Sequence, residues 1–313
     1  MKFLKISYLL FFCLALEAVI VDTGHANVSL VKFESLEGDR SKTLLGIKMD
    51  MQENWHTYWK NPGDSGGPIK VKWSHDNNIS ISKIYWPTPT LIPYEPLMTY
   101  GYKNFVIFPF EITNSNNKNS YIEANIDFLI CDDICVPEKA LIKTNLDEIN
   151  SDPSLNDWFL KVPDQILPVK ASVDSEYINI RFSSPFDVSS AIFFVDEQDI
   201  VEHAENQKLS KEENNYLLSI KKVDYLESFE NLSGVLSINN NESFIIDAEI
   251  ENVTQNSLNI SFFQALIFAF VGGLILNLMP CVFPIISLKV LSFVSMSNQS
   301  PSKIRAHALS FCA

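Results

Sequence analysis

Two cysteines four positions apart, Cys131 and Cys135, and a third set between two prolines, Cys281, are the residues of this 313-residue chain whose types and spacing suggest chemistry. In Cys131-Asp132-Asp133-Ile134-Cys135-Val136-Pro137-Glu138 the sulfurs cannot meet along a straight strand. Residues four apart would lie about 13 Å from one another there, beyond the roughly 4.4–6.8 Å that a disulfide allows between Cα atoms. A bond requires Asp132-Asp133-Ile134 to form a tight turn or one helical turn. Asp-Asp is good turn chemistry, and Pro137 fixes the chain as it leaves. A ring this short stabilises little, because the loop-closure contribution grows with loop length. Labile disulfides are the strained or exposed ones. The pattern favours a redox-active pair over a structural clip. A two-thiolate zinc or copper site is a third reading, but no clear histidine pair completes it. Asp132, Asp133 and Glu138 are expected to raise the neighbouring thiol pKa values by like-charge repulsion.

Cys281 stands in Gly272-Gly273-Leu274-Ile275-Leu276-Asn277-Leu278-Met279-Pro280-Cys281-Val282-Phe283-Pro284, within a membrane-length apolar run. Each proline removes a backbone donor, so a helix should break around the thiol. Broken helices at membrane depth occur where they line a cavity or are buried in protein. The apolar stretch after Pro284 can restart as a helix, whose N-terminus would stabilise a thiolate. A small buried hydrophobe is the plainer role for a free cysteine, but flanking prolines do not serve that role. Of the remaining cysteines, Cys13 falls in a leader-like segment and Cys312 near the last residue.

Composition divides the chain. Residues 27–259 carry 19 Lys/Arg against 36 Asp/Glu, a net charge of −17, whereas residues 260–313 carry three cations (Lys289, Lys303, Arg305) and no acid. An acidic domain does not suit nucleic acid, which requires a basic face. The first 26 residues read as a secretory signal: Lys2 and Lys5, then an apolar Ile6–Leu16, then Gly24 and Ala26 at the small positions before Asn27. Export would place Cys131 and Cys135 in an oxidising compartment, where a pair of cysteines normally bonds.

Short alternating or β-branched runs at 28–33, 44–51, 69–73, 79–86, 105–112, 121–130 and 140–146 predict an antiparallel sandwich, with a short helix over 154–160. After the Pro163–Pro168 linker, runs at 177–182, 191–195, 216–220, 234–238 and 244–250 predict a second, smaller sandwich without cysteine, its lone His203 a solvated surface residue. The uncharged run 262–279 is long enough to span a bilayer, and the cations after it place the following segment in the cytoplasm. An apolar stretch at 306–313 looks like the start of another membrane helix, so the chain is expected to be the N-terminal part of a longer protein. The expected class is therefore mainly β, with two tandem immunoglobulin-like β-sandwiches leading into an α-helical transmembrane domain. The expected boundaries are a signal at 1–26, sandwiches at 27–162 and 163–256, and the membrane segment at 257–313. An aromatic cluster (Trp55, Tyr58, Trp59, Tyr85, Trp86, Tyr94, Tyr100, Tyr102) reads as sandwich core and rim, or as a cap shielding a reactive sulfur. His56 within it reads as an ordinary strand histidine.

Two regions resemble the bacterial DsbD/ScsB family of membrane thiol:disulfide interchange proteins. Met279-Pro280-Cys281-Val282-Phe283-Pro284 looks like the first transmembrane cysteine motif of that family. Tyr58-Trp59-Lys60-Asn61-Pro62-Gly63-Asp64-Ser65-Gly66, Trp86-Pro87 and Tyr100-Gly101-Tyr102, taken with Cys131–Pro137, are similar to the exported domain of the ScsB-type branch. The short spacing of the exported pair favours that copper-tolerance-associated branch. The resemblance implies a relay from cytoplasmic thioredoxin through membrane cysteines to an exported pair that reduces periplasmic proteins. Cys131, Cys135 and Cys281 would be the catalytic thiols, with no cofactor and no metal. The second membrane cysteine and the thioredoxin-like domain of that relay are not in this sequence. The implied place is the bacterial inner membrane, in contact with lipid, with 27–259 in the periplasm. Rival readings are a copper-binding or metal-tolerance protein using Cys131 and Cys135 as soft ligands, and an assembly module whose disulfide is a clip. Which cysteine attacks and which resolves is not fixed by these residues.

Overall fold

The computed structural model describes residues 19–33, 42–113, 120–213, 215–226, 229–251 and 262–277. Cys281, Cys13, Cys312 and most of the leader-like segment lie outside the described residues. The chain divides between Val253 and Thr254 into two compact units.

The first unit opens with β1 (Ile20–Asp22), β2 (Ala26–Lys32), β3 (Lys42–Met51), β4 (His56–Gly63), β5 (Lys70–His75), β6 (Ser80–Ile81), β7 (Thr90–Tyr94), β8 (Leu97–Lys103), β9 (Phe105–Thr113), β10 (Tyr121–Cys131) and β11 (Cys135–Asn145). These form two sheets, one ordered β1-β2-β3-β9-β6 and the other β11-β10-β4-β8-β7, with β5 added on β10. Alternation explains which side of each strand is buried. On β10 the even-numbered Ile122, Ala124, Ile126, Phe128 and Ile130 enter a core shared with Leu45, Ile47, Met49, Phe108 and Phe110 of the facing sheet. Cys131, being odd-numbered, belongs to the other face.

A 3-10 turn (Pro153–Leu155) and α1 (Asn156–Phe159) occupy the region predicted to be helical, but as two short pieces rather than one helix. The second β body comprises β12 (Val169–Val173), β13 (Tyr177–Phe182), β14 (Ala191–Val195), β15 (Lys208–Glu212), β16 (Asn215–Lys221), β17 (Asn231–Ile238) and β18 (Glu242–Glu251). Its strands run in one hydrogen-bonded path, β14-β17-β18-β12-β13-β16-β15, because β12 and β18 join by a short parallel pairing. Residues from both halves of that path, including Ile178, Ile180, Leu218, Phe193, Leu236 and Ile246, fill its own core.

The two β bodies meet through β4. Asn61, buried, donates from Nδ2 to the carbonyls of Val195 and Glu197, each at 2.9 Å, while Lys60 pairs with Asp196 at 2.7 Å. Trp59 and Tyr100 both set their rings edge-on to Phe194. His203 corrects the expectation of a solvated residue: its Nδ1 lies 2.9 Å from the Tyr100 hydroxyl, and burial holds its pKa below the usual histidine value.

In the second unit, α2 (Phe262–Asn277) is a helix of 16 residues, apolar around its circumference. At 1.5 Å per residue it is about 24 Å long, against a hydrocarbon core of about 30 Å. Among the described residues no helix is long and apolar enough to cross a membrane. The apolar run itself continues in sequence past Asn277, outside the described residues.

Candidate active site

Cys131 ends β10 and Cys135 begins β11, and the two face each other as partners across the turn Asp132-Asp133-Ile134. Their Cα atoms are 4.2 Å apart and their sulfurs are bonded. The tight turn that the spacing demanded is therefore present, with the Asp132 N–H donating to the Ile134 carbonyl at 3.2 Å. The two sulfurs differ in access. Cys131 retains 1% of its surface, whereas Cys135 is exposed.

What buries Cys131 is β4. His56 pairs with Cys131 across the sheet, and Tyr58 projects from the same face two residues on. The Tyr58 hydroxyl donates to Cys131 Sγ at 2.8 Å and lies 3.4 Å from Cys135 Sγ. Burial raises the Tyr58 pKa, so the phenol stays protonated and can only donate to a sulfur that gains charge. The ring is held by the Asn61–Pro68 loop. A Cβ on Gly66 would come within 2.2–2.6 Å of the Tyr58 ring, and the φ of Gly66 is +101°, so the position requires glycine on both counts. His56 packs edge-on against Tyr58 and opposite Lys103, and its pKa is lowered, first by burial and then by Lys103, with Asp132 opposing.

The aromatic cluster splits between the two roles expected of it. Trp59, Tyr100 and Tyr102 are core, and Trp86 packs edge-on against Phe108. Tyr94, half exposed at the tip of the β7–β8 hairpin, donates from its hydroxyl to the Asp133 carbonyl at 3.3 Å and so ties that tip to the sulfur turn. Glu138 departs from its expected role beside the thiols. Odd-numbered Cys135 and even-numbered Glu138 occupy opposite faces of β11, and the carboxylate is bound by Thr23 and His25 instead. Tyr58, 73 residues from Cys131, belongs to the cluster that reads as core or as a cap on a reactive sulfur, and its hydroxyl on Cys131 Sγ fits the second of those readings. Its direct hydrogen bond to the sulfur is what no local pattern specifies.

Among the described residues no group of three His, Cys, Asp or Glu side chains is arranged to hold a metal ion. A cleft of about 1040 Å³ between the β bodies, lined by residues such as Leu91, Phe105, Trp158 and Phe244, includes neither sulfur. The bonded pair joins an exposed sulfur to a buried one, an arrangement that suits exchange with another protein's thiol better than enclosure of a small molecule.

Residues 27–146 match the family model described as "Thiol:disulfide interchange protein DsbD, N-terminal". The first β body is therefore similar to the N-terminal domain of DsbD-type proteins. The matched range contains both bonded cysteines together with Tyr58 and Gly66. The fold as a whole is similar to the crystal structure of the N-terminal periplasmic domain of ScsB from Proteus mirabilis, at 17% identity and a TM-score of 0.59. That likeness covers 74% of this chain and 97% of the other, so it reaches beyond residues 27–146 into the second β body. No curated protein sequence matches the chain.

Proposed function

We propose that the chain carries out thiol–disulfide exchange in the periplasm and that Cys135 is the sulfur that meets partner proteins, with Cys131 resolving. The observation that carries this reading is the unequal access of the two bonded sulfurs together with the Tyr58 hydroxyl on the buried one. In the reduced domain the Cys135 thiolate attacks a partner disulfide. A mixed disulfide forms and the partner's second sulfur leaves as thiolate. The Cys131 thiolate then attacks Cys135 Sγ, closing the internal bond and releasing the partner with two electrons gained. Recharging reverses this: a donor thiolate attacks Cys135, the internal bond breaks, and the electron pair settles on Cys131. Tyr58 is placed to donate a hydrogen bond to that developing thiolate, which makes Cys131 a better leaving group.

The resemblance of the region around Cys281 supports a membrane-anchored reductase, fed by cytoplasmic thioredoxin through membrane cysteines. In that reading α2 begins the lipid-embedded part in the bacterial inner membrane, and 27–259 lies in the periplasm. Equilibrating the purified chain in glutathione buffers of graded ratio tests the first step. The expected result is one two-electron transition of Cys131–Cys135, about 30 mV per tenfold change in ratio and unchanged by chelators. A bond that stays closed across the range, or a transition that appears only with metal, contradicts it.

A further inference from the structure

The first described strand lies within the stretch that reads as a removable leader. β1 pairs with β2 from Ile20–Ser29 to Asp22–Asn27, so a cut between Ala26 and Asn27 removes one strand from its sheet and severs β2 at its first residue. The turn between β1 and β2 is fastened to the redox hairpin. Glu138, three residues past Cys135, has a side chain only 5% exposed. Its Oε2 accepts from the Thr23 hydroxyl, and its Oε1 accepts from the His25 N–H at 3.2 Å and lies 2.6 Å from His25 Nδ1. The His25 ring stacks on Trp55 with centroids 3.8 Å apart, and Trp55 precedes His56, the strand partner of Cys131. Gln52 closes the turn, its backbone N–H donating to the His25 carbonyl and its side chain to the Gly24 carbonyl. Val21 packs against the main core.

A chain starting at Asn27 would lose every one of these partners. Among the described contacts of Glu138, all the donors come from residues 23–25, so the cut would leave a buried carboxylate with none of them. That is among the costliest defects a fold can carry. Trp55 would also lose the ring stacked on it, beside the strand that carries His56 and Tyr58.

We propose that residues 19–26 belong to the mature exported domain, where they hold the redox hairpin at Glu138, and that the leader is cut before Val19. Ala18 supplies the small residue immediately before such a junction, and Leu16 stands in place of the small residue at the third position back. A leader ending there keeps the basic Lys2 and Lys5 and an apolar Ile6–Leu14 of nine residues, within the usual 7–15. This rests on the export reading given above, and the two fail separately. The full chain is expressed in an exporting bacterium and its N-terminus read by sequencing and intact mass. Val19 as first residue is the expected result. Asn27 as first residue overturns the proposal and leaves export standing; an intact Met1 overturns both. Ala18→Tyr is expected to block removal of the leader, and unchanged processing of that variant overturns the assignment. Behind one foreign leader, a chain begun at Asn27 is expected to unfold several degrees below one begun at Val19; equal midpoints overturn the structural role.

Discussion

The two β bodies of this chain are built alike and do different things. Both bury alternating aliphatic residues between strands in hydrophobic cores. All five tryptophans lie between residues 55 and 158, and Cys131 and Cys135 both lie in the first body, so the second body has neither tryptophan nor cysteine. The difference lies on the outer face of one sheet. In the first body the face turned away from the core carries Tyr58 and Cys131, packed under a loop that needs glycine, beside an exposed Cys135. The second body has no cysteine, yet it grips β4, the strand that supplies Tyr58, through Asn61, Lys60 and Trp59. A plain sandwich framework leaves reactivity to a few side chains on its surface, and the neighbouring body serves to hold the strand beneath them.

Replacing both Cys131 and Cys135 by serine breaks this comparison most completely. Thiol transfer to any partner should vanish, measured as loss of turnover with a disulfide substrate. Melting should shift only slightly, since so short a ring stabilises little. A large drop in melting would make the bond a structural clip. Gly66→Ala should come next. It forces a Cβ into the Tyr58 ring at a positive φ, and should cost about 2–4 kcal/mol in denaturant unfolding. Asn61→Ala tests the grip between the bodies: a buried acceptor on Val195 and a part-buried one on Glu197 lose their donor, for about 1–3 kcal/mol, with the sulfurs still bonded. If unfolding of this variant is unchanged, the second body does not support β4. Tyr58→Phe should leave the fold intact and slow reduction of Cys131–Cys135 by a small dithiol about tenfold, near 1.4 kcal/mol. An unchanged rate would remove Tyr58 from the chemistry.

The smallest effect is on pH. Burial lowers the pKa of both His56 and His203. Between their folded values and about 6.5 the unfolded chain binds more protons than the folded one. The stability tied to the neutral rings is therefore present above about pH 6.5 and is lost as pH falls through 6.5 toward the lowered folded values. The melting midpoint should decline over that window, and His56→Asn with His203→Asn should flatten the slope. A midpoint flat from pH 7 to 5 in the unaltered chain contradicts the burial of these rings.

Much of this was legible where alternation is strict. The run at 177–182 coincides with β13 because apolar and polar residues alternate against one core, whereas 191–195 coincides with β14 as an unbroken apolar run, Phe193 and Val195 entering one core and Phe194 the other. β4 is not among the predicted runs, although His56 reads as a strand histidine, since Trp55-His56-Thr57-Tyr58-Trp59 lacks alternation, one face turning toward the core and one toward the sulfurs. The run at 79–86 shrinks to Ser80–Ile81, and beyond it only Ser82 and Tyr85 donate to β9 carbonyls, one of them that of Pro109. β1 was hidden because its short apolar run continues the leader's composition. The redox turn was readable from geometry alone, as a four-residue separation closes only through a turn. The contact between Tyr58 and the sulfurs was not, because it depends on pairing of β4 with the end of β10, which no local pattern encodes.

The most direct test follows single-serine variants incubated with an oxidised partner protein or a disulfide-bonded peptide. Cys131→Ser should accumulate a covalent adduct through Cys135 that a reductant releases, while Cys135→Ser should accumulate far less, its remaining thiol lying buried under Tyr58. Adducts of equal yield from both variants, or an adduct through Cys131 alone, would contradict the assignment of the exposed sulfur as the one that meets partners.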